Sequence, residues 1–238
     1  MTPEEFRREA HRLVDWIADY RAGIEERPVM AQVEPGDIRE MLPKSAPEKP
    51  ESFDAIFADI DRVVAPGLSH FQHPSFYGYF PANADLCAVL GDFLSSGLGV
   101  IGLSWQSSPA LTEIEEVTCD WLRQLSGLSD RWRGVIHDTA STATLTGLIS
   151  AREKASNYAL ARGGLQSGEP PMTVYVSAQA HSSVDKAATL AGFGMANVRH
   201  IETDAEFGMR PEPLRSAIEK DKAAGLKPCA IVATVGTT

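Results

Sequence analysis

Two rhythms of apolar positions divide the chain. From Phe6 through Ala10, Leu13, Ile17 and Tyr20 to Ile24, apolar residues recur at three- and four-residue steps and predict an amphipathic helix. Thr2, Pro3 and Glu5 supply its start, as cap, first helical residue and capping-box acid. Val29 to Pro50, with Pro35, Pro43, Pro47 and Pro50, reads as an extended, wrapping connection. Ser52 then caps a second helix over Phe53 to Val64, stopped by Pro66-Gly67. A third helix is expected from an Asn83 cap to about Gly97, and a fourth from Ser108-Pro109 to about Leu125. The fourth has Leu111, Ile114, Val117, Trp121, Leu122 and Leu125 as its buried stripe. From Gly134 the rhythm changes. Short apolar runs at Val135-Ile136, Thr173 to Ser177, Asn197 to Ile201 and Cys229 to Val235 alternate with helical patterns at Thr142 to Arg162, Ser183 to Ala191 and Pro211 to Ala224. Such alternation predicts a largely parallel α/β sheet with helices on both faces.

Composition narrows the function classes. With 22 basic and 32 acidic residues the formal charge is −10, which argues against a general nucleic-acid or acidic-membrane binder. The most apolar stretch, Leu86 to Leu103, is broken by Asp92, two serines and four glycines and does not make a membrane span. The charged N-terminus is no secretory signal. Cys87, Cys119 and Cys229 fit neither a zinc spacing nor a disulfide framework, so no metal site and a reducing cytoplasm are expected.

Five stretches carry candidate chemistry. Asp138 to Ser141 stands where a strand hands over to a helix. The first free N–H groups there, with the hydroxyls of Thr139, Ser141 and Thr142, suit a phosphate dianion, or simply form a hydroxyl cap. His181 follows the next strand and reads either as a capping or core histidine, or as a ring that stacks on a planar ligand or moves a proton. His70 to Pro81, HFQHPSFYGYFP, is a loop packed by its own aromatics or the wall of a binding site. Gly97 to Gly102 spells G-x-G-x-x-G, but a helix rather than a strand is expected before it, so a dinucleotide-binding oxidoreductase is a weak alternative. Ser183 and Lys186 fit S-x-x-K without the companion motifs of that hydrolase class.

Several of these segments together resemble the N-terminal half of a pyridoxal-phosphate-dependent amino-acid decarboxylase of the aromatic-L-amino-acid type. They are HPSFYGYFPANA at 73–84, GLSWQSSPALTEIE at 102–115, GVIHDTASTATLTGLISARE at 134–153, AHSSVDKA at 180–187 and VATVGTT at 232–238. The resemblance implies a fold-type I pyridoxal-phosphate transferase-like α/β large domain, its mostly parallel sheet incomplete here. Residues 1–82 would be a helical wrapping and dimerisation segment, and residues 83–238 the large domain up to a point before the Schiff-base lysine.

It also implies site roles. Thr139, Ala140 and Ser141 would hold the cofactor phosphate, His181 would stack on the pyridine ring and act catalytically, and Thr237 would contact the cofactor. Tyr79, Phe80, Pro81 and Ala82 would border the substrate, and Ile101 and Leu103 would reach the neighbouring subunit's site. The implied activity is decarboxylation of an L-amino acid, aromatic in class by the resemblance, to the amine and carbon dioxide. The implied assembly is a homodimer, the lysine coming from a C-terminal fragment of the same subunit. An oxidative-decarboxylating relative of the same fold and a non-catalytic dimerising fragment are the alternatives. Ala82, Leu103 and Phe71 stand where many family members carry Thr, Phe and Trp, which bears on the substrate pocket.

Overall fold

The structure is a computed structural model that describes residues 1–79, 84–166, 168 and 170–235. It divides into two compact units, residues 1–94 and 95–238.

In the first unit, α1 (Pro3–Ala22) starts as its sequence predicts. The Glu5 N–H donates to the Thr2 hydroxyl at 3.1 Å, and the Thr2 N–H donates to the Glu5 carboxylate at 2.7 Å. The wrapping connection contains one short helix, α2 (Asp37–Met41), which its prolines did not announce. The second predicted helix is α only over α3 (Phe53–Asp59); Ile60–Val64 widens to a π turn and Ala65–Gly67 tightens to a 3₁₀ turn before Pro66 stops it. Polar links tie α1 to this helix: Arg12 to Asp54 at 2.8 Å and the Trp16 indole N–H to Asp61 at 2.9 Å. The next helix, α4 (Leu86–Leu98), is entered from Asp85, whose carboxylate accepts the Cys87 N–H at 2.8 Å; the expected cap, Asn83, lies outside the described residues.

In the second unit, α5 (Pro109–Leu125) is capped by Ser108 as expected, but its predicted buried stripe is exposed. Apolar residues bury only where an element lies opposite them, and no described element covers Ile114, Trp121 or Leu125; Cys119 alone on this helix is buried. After α6 (Ala140–Ala155) come β1 (Met172–Ser177), α7 (Ser183–Leu190), β2 (Val198–Ile201), α8 (Pro211–Ala223) and β3 (Lys227–Val232). The strands pair in parallel in the order β2-β1-β3, with Val174 beside Val198 and Ala230.

Alternation along β1 sorts its two faces. Met172, Val174 and Val176 join Leu148 of α6 and Val184, Ala187 and Ala188 of α7 in the main core. Thr173 and Tyr175 point the other way, where α8 contributes Asp221. The Tyr175 hydroxyl donates to Asp221 at 2.9 Å and sits 2.9 Å from the Thr173 hydroxyl, while the Arg199 guanidinium of β2 reaches both Asp221 oxygens. Helices therefore cover both faces of the sheet, as the strand–helix alternation predicts.

Two expectations fail locally. Val135-Ile136 is extended but pairs with no described strand, and its Ile136 N–H goes instead to the Glu115 carboxylate at 2.8 Å. The long helix predicted to Arg162 ends at Ala155, because Asn157 and Tyr158 take left-handed backbone angles, φ 52° and 61°. The pairing of β1 with β3 also slips: Thr173 lies beside Pro228 and Val174 beside Ala230, which leaves Cys229 as an extra residue.

Candidate functional site

Two corners of the second unit, one entered from the unpaired Val135-Ile136 segment and one from β1, hold the candidate residues Thr139, Ala140, Ser141 and His181. At the first, Thr139 is the N-cap of α6. Its hydroxyl accepts the Thr142 N–H at 3.2 Å and lies 3.0 Å from the Thr142 hydroxyl, and its carbonyl accepts the Ala143 N–H at 3.0 Å. The N–H groups of Ala140 and Ser141 fall in the first turn, where no carbonyl of the helix precedes them. Residues 138 to 141 are exposed, at the positive end of a 16-residue helix. Ala140 brings no bulk to the mouth, and the Ser141 hydroxyl is exposed there.

The second corner joins β1 to α7. The Ala180 N–H closes a turn onto the Ser177 carbonyl at 2.9 Å, and His181 follows with its ring exposed. Its backbone carbonyl accepts the Val184 N–H at 3.0 Å. Its Nδ1 accepts the Ser183 N–H at 3.2 Å and lies 2.8 Å from the Ser183 hydroxyl. The imidazole thus acts as the cap that Ser182, the preceding residue, does not provide with its own side chain. Further along α7, Asp185 lies 3.3 Å from His200 Nε2 of β2, an ion-pair distance without hydrogen-bond geometry, and the buried Asp185 Oδ1 finds no hydrogen-bond partner.

The two corners belong to helices that pack on each other through Leu148 and the alanine face of α7. The structure therefore brings together Thr139, Ala140 and Ser141 as one group and His181 as the head of the adjoining helix. Ile101 and Leu103, 69% and 82% exposed, stand free on the segment before α5. In the first unit, Tyr79 is exposed with φ 54°, its ring 6.0 Å from Phe71 and 6.3 Å from Phe76. His70 at the base of that aromatic loop is buried, its Nδ1 2.7 Å from the Tyr20 hydroxyl. Burial, with help from Arg27 and His73, pushes its pKa below the ordinary histidine value. Phe80, Pro81, Ala82 and Thr237 lie outside the described residues.

Two motif readings fall away. Gly97-x-Gly99 follows a helix, α4, that runs to Leu98, not the strand a dinucleotide site requires. Ser183 of the S-x-x-K pattern is engaged with His181, and Lys186 is exposed. The Ser183 contact itself was missed by sequence reading, although a His-x-Ser spacing at a helix start was the available signal.

The second unit is an open parallel α/β layer in which one helix starts from a hydroxyl cap and the next from a histidine cap. The chain belongs to the pyridoxal-dependent decarboxylase family, whose conserved domain it matches over residues 35–238. It is 42% identical over 255 residues to the aromatic-L-amino-acid decarboxylase of Bos taurus and 40% identical over 246 residues to the phenylacetaldehyde synthase of Arabidopsis thaliana. Both alignments cover all of this chain, and they cover 50% and 49% of those proteins. The tryptophan decarboxylase of Catharanthus roseus, crystallised with L-tryptophan, superposes with a TM-score of 0.91 at 41% identity, over all of this chain and 52% of that one. The expected fold-type I class stands, with the three-stranded parallel sheet an incomplete version of it. The chain spans about half the length of the relatives it matches.

Proposed function

We propose that this chain forms the N-terminal half of a pyridoxal-phosphate-dependent carboxy-lyase that converts an aromatic L-amino acid to its amine and carbon dioxide. The observation that carries the reading is the pair of adjoining corners, free N–H donors and a hydroxyl at Ala140-Ser141 beside the exposed His181 ring, in a chain of this family. The donor set fits the cofactor: a phosphate ester takes N–H and hydroxyl donors at a helix start, and a planar pyridine takes an imidazole face.

Pyridoxal phosphate, when bound, supplies a ring that accepts the electron pair left as the carboxylate departs. The chain's own residues do the rest of their share by binding and orienting. Thr139 fixes the first turn of α6, whose Ala140 and Ser141 N–H groups would hold the phosphate. His181 would stack on the cofactor ring, and its outer nitrogen would be left free to serve the substrate. Thr237 adds a contact after the last strand, Tyr79, Phe80, Pro81 and Ala82 border the substrate, and Ile101 and Leu103 serve the neighbouring subunit. Residues 1–82 wrap the partner of a homodimer, and residues 83–238 form part of the large domain. A C-terminal segment of the subunit supplies the lysine, and the enzyme works in the cytoplasm.

The test is carboxylate release by the holoenzyme that contains this chain, offered tyrosine, dopa, tryptophan and phenylalanine labelled at C1. Labelled carbon dioxide with one equivalent of amine is expected. No release from any of the four by protein that has bound pyridoxal phosphate would overturn the proposal. The likeness to phenylacetaldehyde synthase supports the second reading, an oxidative decarboxylation in which an aldehyde forms in place of the amine.

A further inference from the structure

We propose that Ser183 is a positioning residue for the proposed decarboxylation: it fixes the His181 ring and places the ring proton on Nε2. The inference rests on the functional reading above only for its catalytic consequence; the proton's location follows from this chain's own hydrogen bonds.

A backbone N–H can donate and cannot accept. The Ser183 N–H reaches His181 Nδ1 at 3.2 Å, the long end of such a bond, so it favours a lone pair there without settling it alone. A proton on Nδ1 would face the amide hydrogen head-on. The Ser183 hydroxyl, 2.8 Å from the same nitrogen, adds a second donor. With Nδ1 accepting, the neutral imidazole carries its hydrogen on Nε2, on the side of the ring away from α7.

The geometry is held firmly. Ser183 is 8% exposed, and its neighbours Val184, Ala187 and Ala188 are buried in the main core, so α7 cannot turn to release the contact without unpacking that core. The His181 carbonyl is tied to the same helix by the Val184 N–H. Main chain and ring are thus both anchored to one turn, while the ring itself stays exposed. What this leaves for chemistry is a single directed donor, Nε2–H, suited to an anionic oxygen such as a substrate carboxylate. The opposite tautomer would present a lone pair there and repel the same oxygen.

Ser183→Ala keeps the backbone donor and loses the hydroxyl; Ser183→Thr restores a hydroxyl. The readouts are ¹⁵N–¹H correlation spectra of the His181 imidazole in histidine-labelled protein, and kcat and KM of the holoenzyme on the substrate it turns over. In the wild type, Nδ1 should show as an acceptor and Nε2 as protonated. In Ser183→Ala, the two nitrogens should move toward averaged tautomers. Its kcat should fall by roughly 10-fold with KM within about 2-fold, short of the ~10²-fold typical when the acting group itself is lost. Ser183→Thr should recover most of both.

A proton on Nδ1 in the wild type overturns the proposal whether or not any variant folds. So does an unchanged tautomer pattern in Ser183→Ala with kcat lowered, or an altered pattern with kcat unchanged. If wild-type holoenzyme releases no carbon dioxide, the functional reading fails, and the spectra still decide where the proton sits.

Discussion

Tyr175 offers a direct measure of what holds the α8 face of the sheet. Replacing it by Phe removes one hydroxyl and leaves the ring in place, 1% exposed. The main loss is a 2.9 Å hydrogen bond to the ionised, buried Asp221, and with it goes the 2.9 Å contact with the Thr173 hydroxyl. Hydrogen bonds to charged groups contribute about 1.5–3 kcal/mol. The carboxylate keeps the Arg199 contacts of 2.9–3.1 Å, so its charge stays paired and the lower end applies: about 1.5–2 kcal/mol. Arg199→Met removes the charge partner itself. Breaking a fully buried pair costs about 3–5 kcal/mol, but the Arg199 side chain is 27% exposed and water screens it, so about 2–3 kcal/mol is expected.

Equilibrium urea unfolding followed by circular dichroism gives both values, provided the slope with denaturant is unchanged. A pH series adds a second check. Burial raises the Asp221 pKa, but the Arg199 fork and the Tyr175 hydroxyl outweigh it and hold the carboxyl below its ordinary value. On acidification the unfolded chain therefore takes up this proton first. The stability the network contributes is complete above about pH 4 and is lost as pH falls toward the lowered folded value. Tyr175→Phe within about 0.5 kcal/mol of wild type, or costlier than Arg199→Met, would refute the reasoning.

Two other perturbations follow from the same structure. Gly192 has φ +82°, and a Cβ there would meet the Leu165 side chain at 2.6 Å, so Gly192→Ala should destabilise by about 1–2 kcal/mol from backbone handedness, Leu165 being free to move; a loss below 0.5 kcal/mol by urea unfolding would remove the strain argument. Burial and the charges of Arg27 and His73 disfavour protonated His70, so the unfolded chain binds that proton first. The aromatic loop should be fully stable above about pH 6.5 and lose stability as pH falls toward the lowered folded value. Hydrogen exchange over residues 70–79 at pH 7.5 and 5.5 measures this, and a His70→Gln variant with the same pH slope as wild type would exclude His70 as its source.

What the sequence disclosed was what neighbours in the chain decide. Thr2 and Glu5, Ser108 and Pro109, and Thr139 and Thr142 each build a helix start within three residues, and each was readable. The apolar run of β1 was readable because a strand buried on both faces needs little beyond β-branched and aromatic residues in succession, and β2, though Arg199 and His200 interrupt it, was readable from Val198 and Ile201 at its ends. What escaped depends on partners far along the chain. Val135-Ile136 has strand composition but is not a strand without one beside it. The α5 stripe is apolar at helical spacing, yet spacing cannot supply a covering element. Tyr175, Arg199 and Asp221 lie 22 and 46 residues from their partners, and nothing local announces that they meet. At the site, His181 was visible as a candidate because it follows a strand, whereas the role of Ser183 was hidden by a motif that groups it with Lys186 instead of the histidine two residues before.

The extra residue at Cys229 sets which insertions and deletions this chain tolerates. Side chains alternate along a strand, so the residue count between two points decides which face every later residue takes. By occupying two positions against one on β1, Pro228 and Cys229 shift the count by one, and Ala230 and Val232 come to lie beside Val174 and Val176 on the core side. Removing Cys229 would close the bulge and leave Ala230 and Val232 beside Val174 and Val176, whereas one residue added after Ala230 would turn Ile231, now 54% exposed, inward and send Val232 out. The loop before β3 can lengthen at little cost, but past Cys229 the strand has a fixed reading frame, and Cys229 is the one residue it can lose without changing it.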